Sequence, residues 1–176
     1  ICPTADLDLT VKGVTFSAAG TTGQRCTTLR RAFVHEDIYK EFMEKLHAYY
    51  STLKVGDPSD ASSQIGPLIS ERSFEDMQNV LMSLKNKEVK IYGGQRLEVG
   101  DPSEFYVMPA IVEVPQVEDE MLTETFAPIL YVKKFTDLKD AIHMQNNVKQ
   151  GLSSSIFTND MRESELFLSS EGSDCG

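Results

Sequence analysis

Apolar residues recur along the chain in two rhythms, one helical and one alternating. From Asp6 to Ala19, the positions Leu7, Leu9, Val11, Val14, Phe16 and Ala18 mix both, with Asp6 placed to cap a helix and Gly20 to stop it. This predicts a helix leading into a glycine-rich turn around Cys26. Thr28 to Val34 is β-branched and aromatic, and beyond His35-Glu36-Asp37 the residues Ile38, Tyr39, Phe42, Leu46, Tyr49, Tyr50 and Leu53 fall at helical intervals. A strand followed by an amphipathic helix is predicted.

Turn chemistry in Gly56-Asp57-Pro58-Ser59-Asp60 and Gly66-Pro67 brackets a loop, after which Ser70 opens a helix with Phe74, Met77, Val80, Leu81 and Leu84 on one face. Val89 to Tyr92 reads as a short strand closed by Gly93-Gly94. Phe105 to Val114 and Ile129 to Phe135 read as strands, Pro109 making the first an irregular or edge segment. A helix from Asp137 to about Asn146, a strand from Leu152 to Thr158 and a helix from about Asp160 to Ser170 follow. Strands alternating with helices predict an α/β fold, a mainly parallel sheet flanked by helices on both sides.

Composition narrows the function classes. At 176 residues and 40% hydrophobic the chain can bury a core, as one domain or as a piece of a larger one. Lys and Arg number 17 against 27 Asp and Glu, a net charge of -10, and no basic block offers a footprint for phosphate backbones. Nucleic acid is not an expected partner. Cys2, Cys26 and Cys175 are odd in number, widely spaced and form no C-x-x-C pair, so neither a disulfide framework nor a zinc site is suggested. A reducing, cytoplasmic compartment fits. His35, His47 and His143 never fall at i, i+4 spacing, and no metal is expected. No apolar run of about 18 residues and no basic, apolar leader occurs, so no membrane segment is expected. Ile1-Cys2-Pro3 lacks an initiator Met, and Gly172 to Gly176 ends without a terminating element, which reads as a segment excised from a longer protein.

Cys26 is the residue with the most chemistry to offer. It lies in Gly20-Thr21-Thr22-Gly23-Gln24-Arg25-Cys26-Thr27-Thr28, where a cation and two glycines surround one thiol. Thiolate is the reactive form of cysteine, and a positive charge or backbone N–H groups favour it. A lone cysteine before an apolar segment also fits a buried core thiol. The turn is no phosphate loop, since no Lys-Ser/Thr follows its glycines.

Two further stretches stand out: Thr123-Glu124-Thr125-Phe126-Ala127-Pro128 and Val148-Lys149-Gln150-Gly151-Leu152-Ser153-Ser154-Ser155-Ile156-Phe157-Thr158. Together with the Cys26 turn, in this order and spacing, they resemble the catalytic domain of the NAD-dependent aldehyde dehydrogenases along essentially all 176 residues. The closest pattern is the antiquitin-type branch, which acts on alpha-aminoadipic semialdehyde. Ala127, where many of the family carry Gly, and Arg25 beside the nucleophile both fit that branch.

The resemblance implies that Cys26 is the covalent nucleophile and passes through a thiohemiacetal and a thioester, its own N–H donating to the oxyanion. It implies that Arg25 approaches the carboxylate end of the substrate and that Thr27 lines the substrate pocket. Glu124 would hold the nicotinamide ribose of NAD, and Phe126 would pack beside the nicotinamide; without the resemblance they read as a loop acid and a core aromatic. Gln24 could orient the turn through its amide. Implied outside these residues are the dinucleotide-binding domain, the side-chain Asn of the oxyanion hole, the Glu that activates water, and an oligomerising arm that makes the whole protein a homo-oligomer, a tetramer. Two alternatives stay open: an aldehyde dehydrogenase for betaine or another aliphatic aldehyde, and a segment that by itself is a non-catalytic interaction module.

Overall fold

The protein, seen in a computed structural model, is described over residues 1–175; Gly176, the last residue of the predicted segment, lies outside them. Four strands form one sheet: β1 (Arg31–His35), β2 (Lys90–Tyr92), β3 (Ala110–Val114) and β4 (Ile129–Phe135), in the order β1-β4-β3-β2. β4 runs parallel to both β1 and β3, and β2 pairs antiparallel with β3. The helices are α1 (Leu7–Ala19), α2 (Glu36–Tyr50), α3 (Glu71–Leu84), α4 (Asp119–Leu122), α5 (Leu138–Asn146) and α6 (Met161–Leu168).

Side chains alternate across each strand, and in β1, β3 and β4 both sets are largely buried, whereas the edge strand β2 is not. Leu130 and Val132 of β4 face Val11 and Val14 of α1 and Phe42 and Leu46 of α2, while Ile129 and Tyr131 face Met77 and Leu81 of α3 and Ala141 of α5. Apolar side chains at every position of β4 from Ile129 to Val132 are what a strand covered on both faces requires. The helix starts follow local chemistry. Asp6, Ser70, Asp137 and Asp160 each accept a hydrogen bond from a first-turn N–H through the side chain.

The structure decides one sequence expectation between its alternatives and corrects another. Phe105–Val114 is irregular and not an edge: its strand begins only at Ala110, after Pro109, and lies inside the sheet between β4 and β2. Phe105 and Val107 instead make isolated bridges to Leu68 and Arg96. Leu152–Thr158 forms no strand, because a ladder needs a neighbour along its length. Ile1 and Cys2 link its end to β1: Ile1 bonds Phe33 and His35, and the Cys2 N–H donates to the Phe157 carbonyl at 2.9 Å. Among the described residues, no helix is long and apolar enough to cross a membrane, and no group of three His, Cys, Asp or Glu could hold a metal ion.

Candidate active site

The chain reaches Cys26 through a left-handed bend. After α1, the residues Thr21, Thr22 and Gly23 all have positive φ, at 54°, 56° and 66°. For a β-branched residue this conformation costs about 1–2 kcal/mol and persists only where the surroundings enforce it. They do so here: the Thr22 hydroxyl donates to the Gly66 carbonyl at 2.9 Å, the Gln24 amide donates to Pro67 at 3.3 Å, and Gln24 Oε1 accepts from the Ile69 N–H at 2.8 Å. Gln24 and Thr22 thus tie the turn to residues 66–69.

Cys26 and Thr27 form the two corners of a β-turn. The Thr28 N–H donates to the Arg25 carbonyl at 3.0 Å, and the Arg25 N–H donates back to Thr28 Oγ1 at 3.1 Å. Thr28 is buried, whereas Cys26 and Thr27 are exposed. The Cys26 N–H has no protein acceptor among the described residues, which leaves it free for a ligand oxygen.

Glu124 and Phe126 belong to the segment that enters β4. Because β1 and β4 are parallel with Arg31 opposite Tyr131, the segments entering the two strands lie side by side. Arg30 spans the gap. Its Nη1 donates to the Thr125 carbonyl at 2.6 Å, its Nη2 to Glu124 Oε1 at 3.2 Å and to the Arg25 carbonyl at 3.3 Å, and its guanidinium lies 5.3 Å from the Phe126 ring centre. Burial pulls the Arg30 pKa down, and the Glu124 carboxylate opposes that shift. Glu124 is half-exposed and so is the Phe126 ring, so both can meet a ligand. Arg31 turns elsewhere and donates to the Met144 and Gln145 carbonyls at 3.0 Å each, in the last turn of α5.

A cavity of about 300 Å³ lies beside the outer edge of β1, walled on its far side by residues 150–157 of the third motif. Cys26, Thr27 and Glu124 line it, so three of the five predicted site residues share one cavity. Arg25 and Phe126 do not line it. The Arg25 side chain folds onto α1, where Nη2 donates to the Phe16 carbonyl at 3.3 Å, the guanidinium sits 5.2 Å from the exposed Phe16 ring, and Nε has no partner among the described residues. Sequence reasoning passes over Arg30 and Phe16. The one available signal for Arg30 is a second cation four positions beyond the thiol, at the entrance to a strand.

Known proteins are similar to this chain along nearly its whole length. A model of the aldehyde dehydrogenase family matches residues 1–172. The chain is 42% identical over 173 residues to aldehyde dehydrogenase family 7 member A1 of Pisum sativum, covering 98% of this chain and 34% of that protein. It is 43% identical over 178 residues to alpha-aminoadipic semialdehyde dehydrogenase of Mus musculus, covering 98% of this chain and 32% of that protein. The solved structure of 3,6-anhydro-L-galactose dehydrogenase in complex with NAP superposes with a TM-score of 0.92 at 29% identity, over 99% of this chain and 37% of that one. The chain therefore spans about a third of the length of the curated relatives it matches. The chain belongs to the aldehyde dehydrogenase family.

Proposed function

We propose that the protein containing this chain oxidises an aldehyde to a carboxylate with Cys26 as the nucleophile, alpha-aminoadipic semialdehyde being the substrate and NAD the cofactor. The observation that carries this is the exposed thiol at a turn corner whose own N–H is unpaired, in one cavity with Glu124.

The turn supplies the first step. Cys26 Sγ gives up its proton to solvent and bonds to the carbonyl carbon, the π electrons move to oxygen, and the free Cys26 N–H is available to that oxyanion, an interaction whose loss costs about 3–4 kcal/mol in comparable sites. A nicotinamide held by Glu124 and Phe126 would supply a hydride acceptor, and the carbon on Sγ would then be at the thioester level. Water then adds to the thioester and the C–S bond breaks; of the two protons of that water one goes to the sulfur and the other to solvent as the carboxylate leaves.

The residues present fit a nicotinamide nucleotide. Glu124 Oε1 is taken by Arg30, while its half-exposed carboxylate keeps Oε2 open to a ribose hydroxyl. Phe126 offers the ring face that Arg30 does not cover. The name of the mouse relative and Arg25 beside the nucleophile support the semialdehyde, and with it a place in lysine catabolism. The resemblance supports a cytoplasmic homotetramer, which light scattering on the whole protein would read.

A second reading concerns specificity. The bond from Arg25 to the Phe16 carbonyl favours a structural Arg25 and an aldehyde without an anionic end, such as betaine aldehyde or an aliphatic aldehyde. Cys26→Ala in the whole protein should lower NADH formation by about a thousandfold or more; undiminished turnover would refute the nucleophile. A kcat/KM that favours aminoadipic semialdehyde over a neutral aldehyde of equal length by about tenfold or more, and loses that preference in Arg25→Met, would support the first reading of Arg25 over the second.

A further inference from the structure

We propose that Arg30 is a positioning residue that locks the Cys26 turn and the Glu124–Phe126 segment into one unit, so that the nucleophile and the carboxylate facing the ribose keep a fixed spacing. This rests on the reading of Cys26 and Glu124 given above. Apart from the bonds of Arg30, no hydrogen bond among the described residues joins residues 24–30 to residues 123–127.

The geometry suits a guanidinium and no other side chain. Three acceptors on two segments are met by one planar fork: the Arg25 carbonyl on the nucleophile side, and Glu124 Oε1 and the Thr125 carbonyl on the other. The root of the side chain is fixed as well, because the Arg30 carbonyl accepts from the Tyr131 N–H at 2.9 Å, where the β1–β4 ladder begins. The side chain is only 18% exposed, so water does not readily replace these bonds. Both segments carry a group that must meet the same bound nucleotide and aldehyde, and a misplacement of about 1 Å between such groups can lower the rate a hundredfold.

Lysine at position 30 keeps the charge but cannot reach all three acceptors. In the whole protein, Arg30→Lys should raise both the calorimetric Kd and the KM for NAD about tenfold, while the aldehyde KM moves less than about twofold. In a Glu124→Gln background the same substitution should add little further loss of NAD affinity, since the orientation of that carboxylate is what it disturbs. A melting curve coincident with that of the unsubstituted protein separates positioning from global destabilisation. Arg30→Met should show the same pattern more strongly, and Arg30→Lys carries the test if it does not fold. Unchanged NAD affinity in Arg30→Lys, or fully additive effects with Glu124→Gln, would overturn the proposal while leaving Cys26 as nucleophile. An active Cys26→Ala protein would instead remove the reading beneath it, and the proposal with it.

Discussion

Gly23 rests its α-carbon against the peptide that joins Ala127 to Pro128. A methyl group on Gly23 would lie 2.4 Å from the Ala127 carbonyl carbon and 2.5 Å from both its oxygen and the Pro128 nitrogen, on a backbone already at φ +66°. All three are main-chain atoms, so no rotamer change can make room. Gly23→Ala should destabilise the protein by about 3 kcal/mol or more and separate the nucleophile turn from the Glu124 segment. Gly13→Ala is the control. It meets only the tip of the Phe157 ring, at 3.3 Å, in a helix interior that favours Ala by up to about 1 kcal/mol, and should change stability by no more than about that. Denaturant unfolding of the two variants reads the difference.

The same contact marks the boundary of what the sequence makes legible. Helices α1, α3, α5 and α6 are readable because their caps, Asp6, Ser70, Asp137 and Asp160, are local signals, and β4 because a strand buried on both faces is apolar along its run. Leu152–Thr158 has the pattern of a strand but lacks the neighbour, and Pro109 hides the fact that β3 is interior; neither neighbour relation is written in the local run. The four-residue α4 is too short to leave a periodic signal. In the site, Cys26 and Glu124 are legible as motifs, whereas Arg30 acquires its role only once parallel pairing of β1 and β4 sets two distant segments side by side.

The cysteines should differ sharply in reactivity. Cys26 is exposed, while Cys2 is fully buried and its thiol is pushed up to about 11 by that burial. Brief alkylation of the native protein near neutral pH should therefore label Cys26 at least about tenfold faster than Cys2, with Cys2 reacting freely only after denaturation. Peptide mapping by mass spectrometry measures both. Comparable labelling of the two under native conditions would contradict the placement of Cys26 on an open turn.

Glu120 links stability to pH. Lys87 reaches Glu118 at 2.9 Å and Glu120 at 2.6 Å, tying the end of α3 to α4 just ahead of the Glu124 segment. The Lys87 hydrogen bond holds the Glu120 carboxyl below its ordinary 4.5. A folded-state pKa lower than the unfolded one stabilises the fold above the unfolded value, and that contribution fades as pH falls through the folded value. Unfolding free energies of the parent and Glu120→Gln should thus differ most near neutral pH and converge below the ordinary carboxylate range. A gap that widened on acidification would reverse the sign and rule out the pairing as its source.

Thr28 holds the nucleophile turn through two bonds of opposite sense, its N–H donating to the Arg25 carbonyl and its hydroxyl accepting from the Arg25 N–H. Thr28→Val keeps the shape and the first bond but removes the acceptor. Position 28 is only 7% exposed, so water cannot easily take the place of the hydroxyl, and the orphaned Arg25 N–H should cost about 1–3 kcal/mol of stability. The loss falls one residue from Cys26, on the Gln24–Arg25 peptide that leads into the one carrying the Cys26 N–H. Turnover of the whole protein should therefore fall about tenfold in Thr28→Val, at nearly unchanged KM for NAD, because the Arg30 bonds to Glu124 and Thr125 stay intact. Thr28→Ser restores the acceptor and should recover most of the rate. A stable Thr28→Val protein with full turnover would mean that the backbone bond alone holds Cys26 in place.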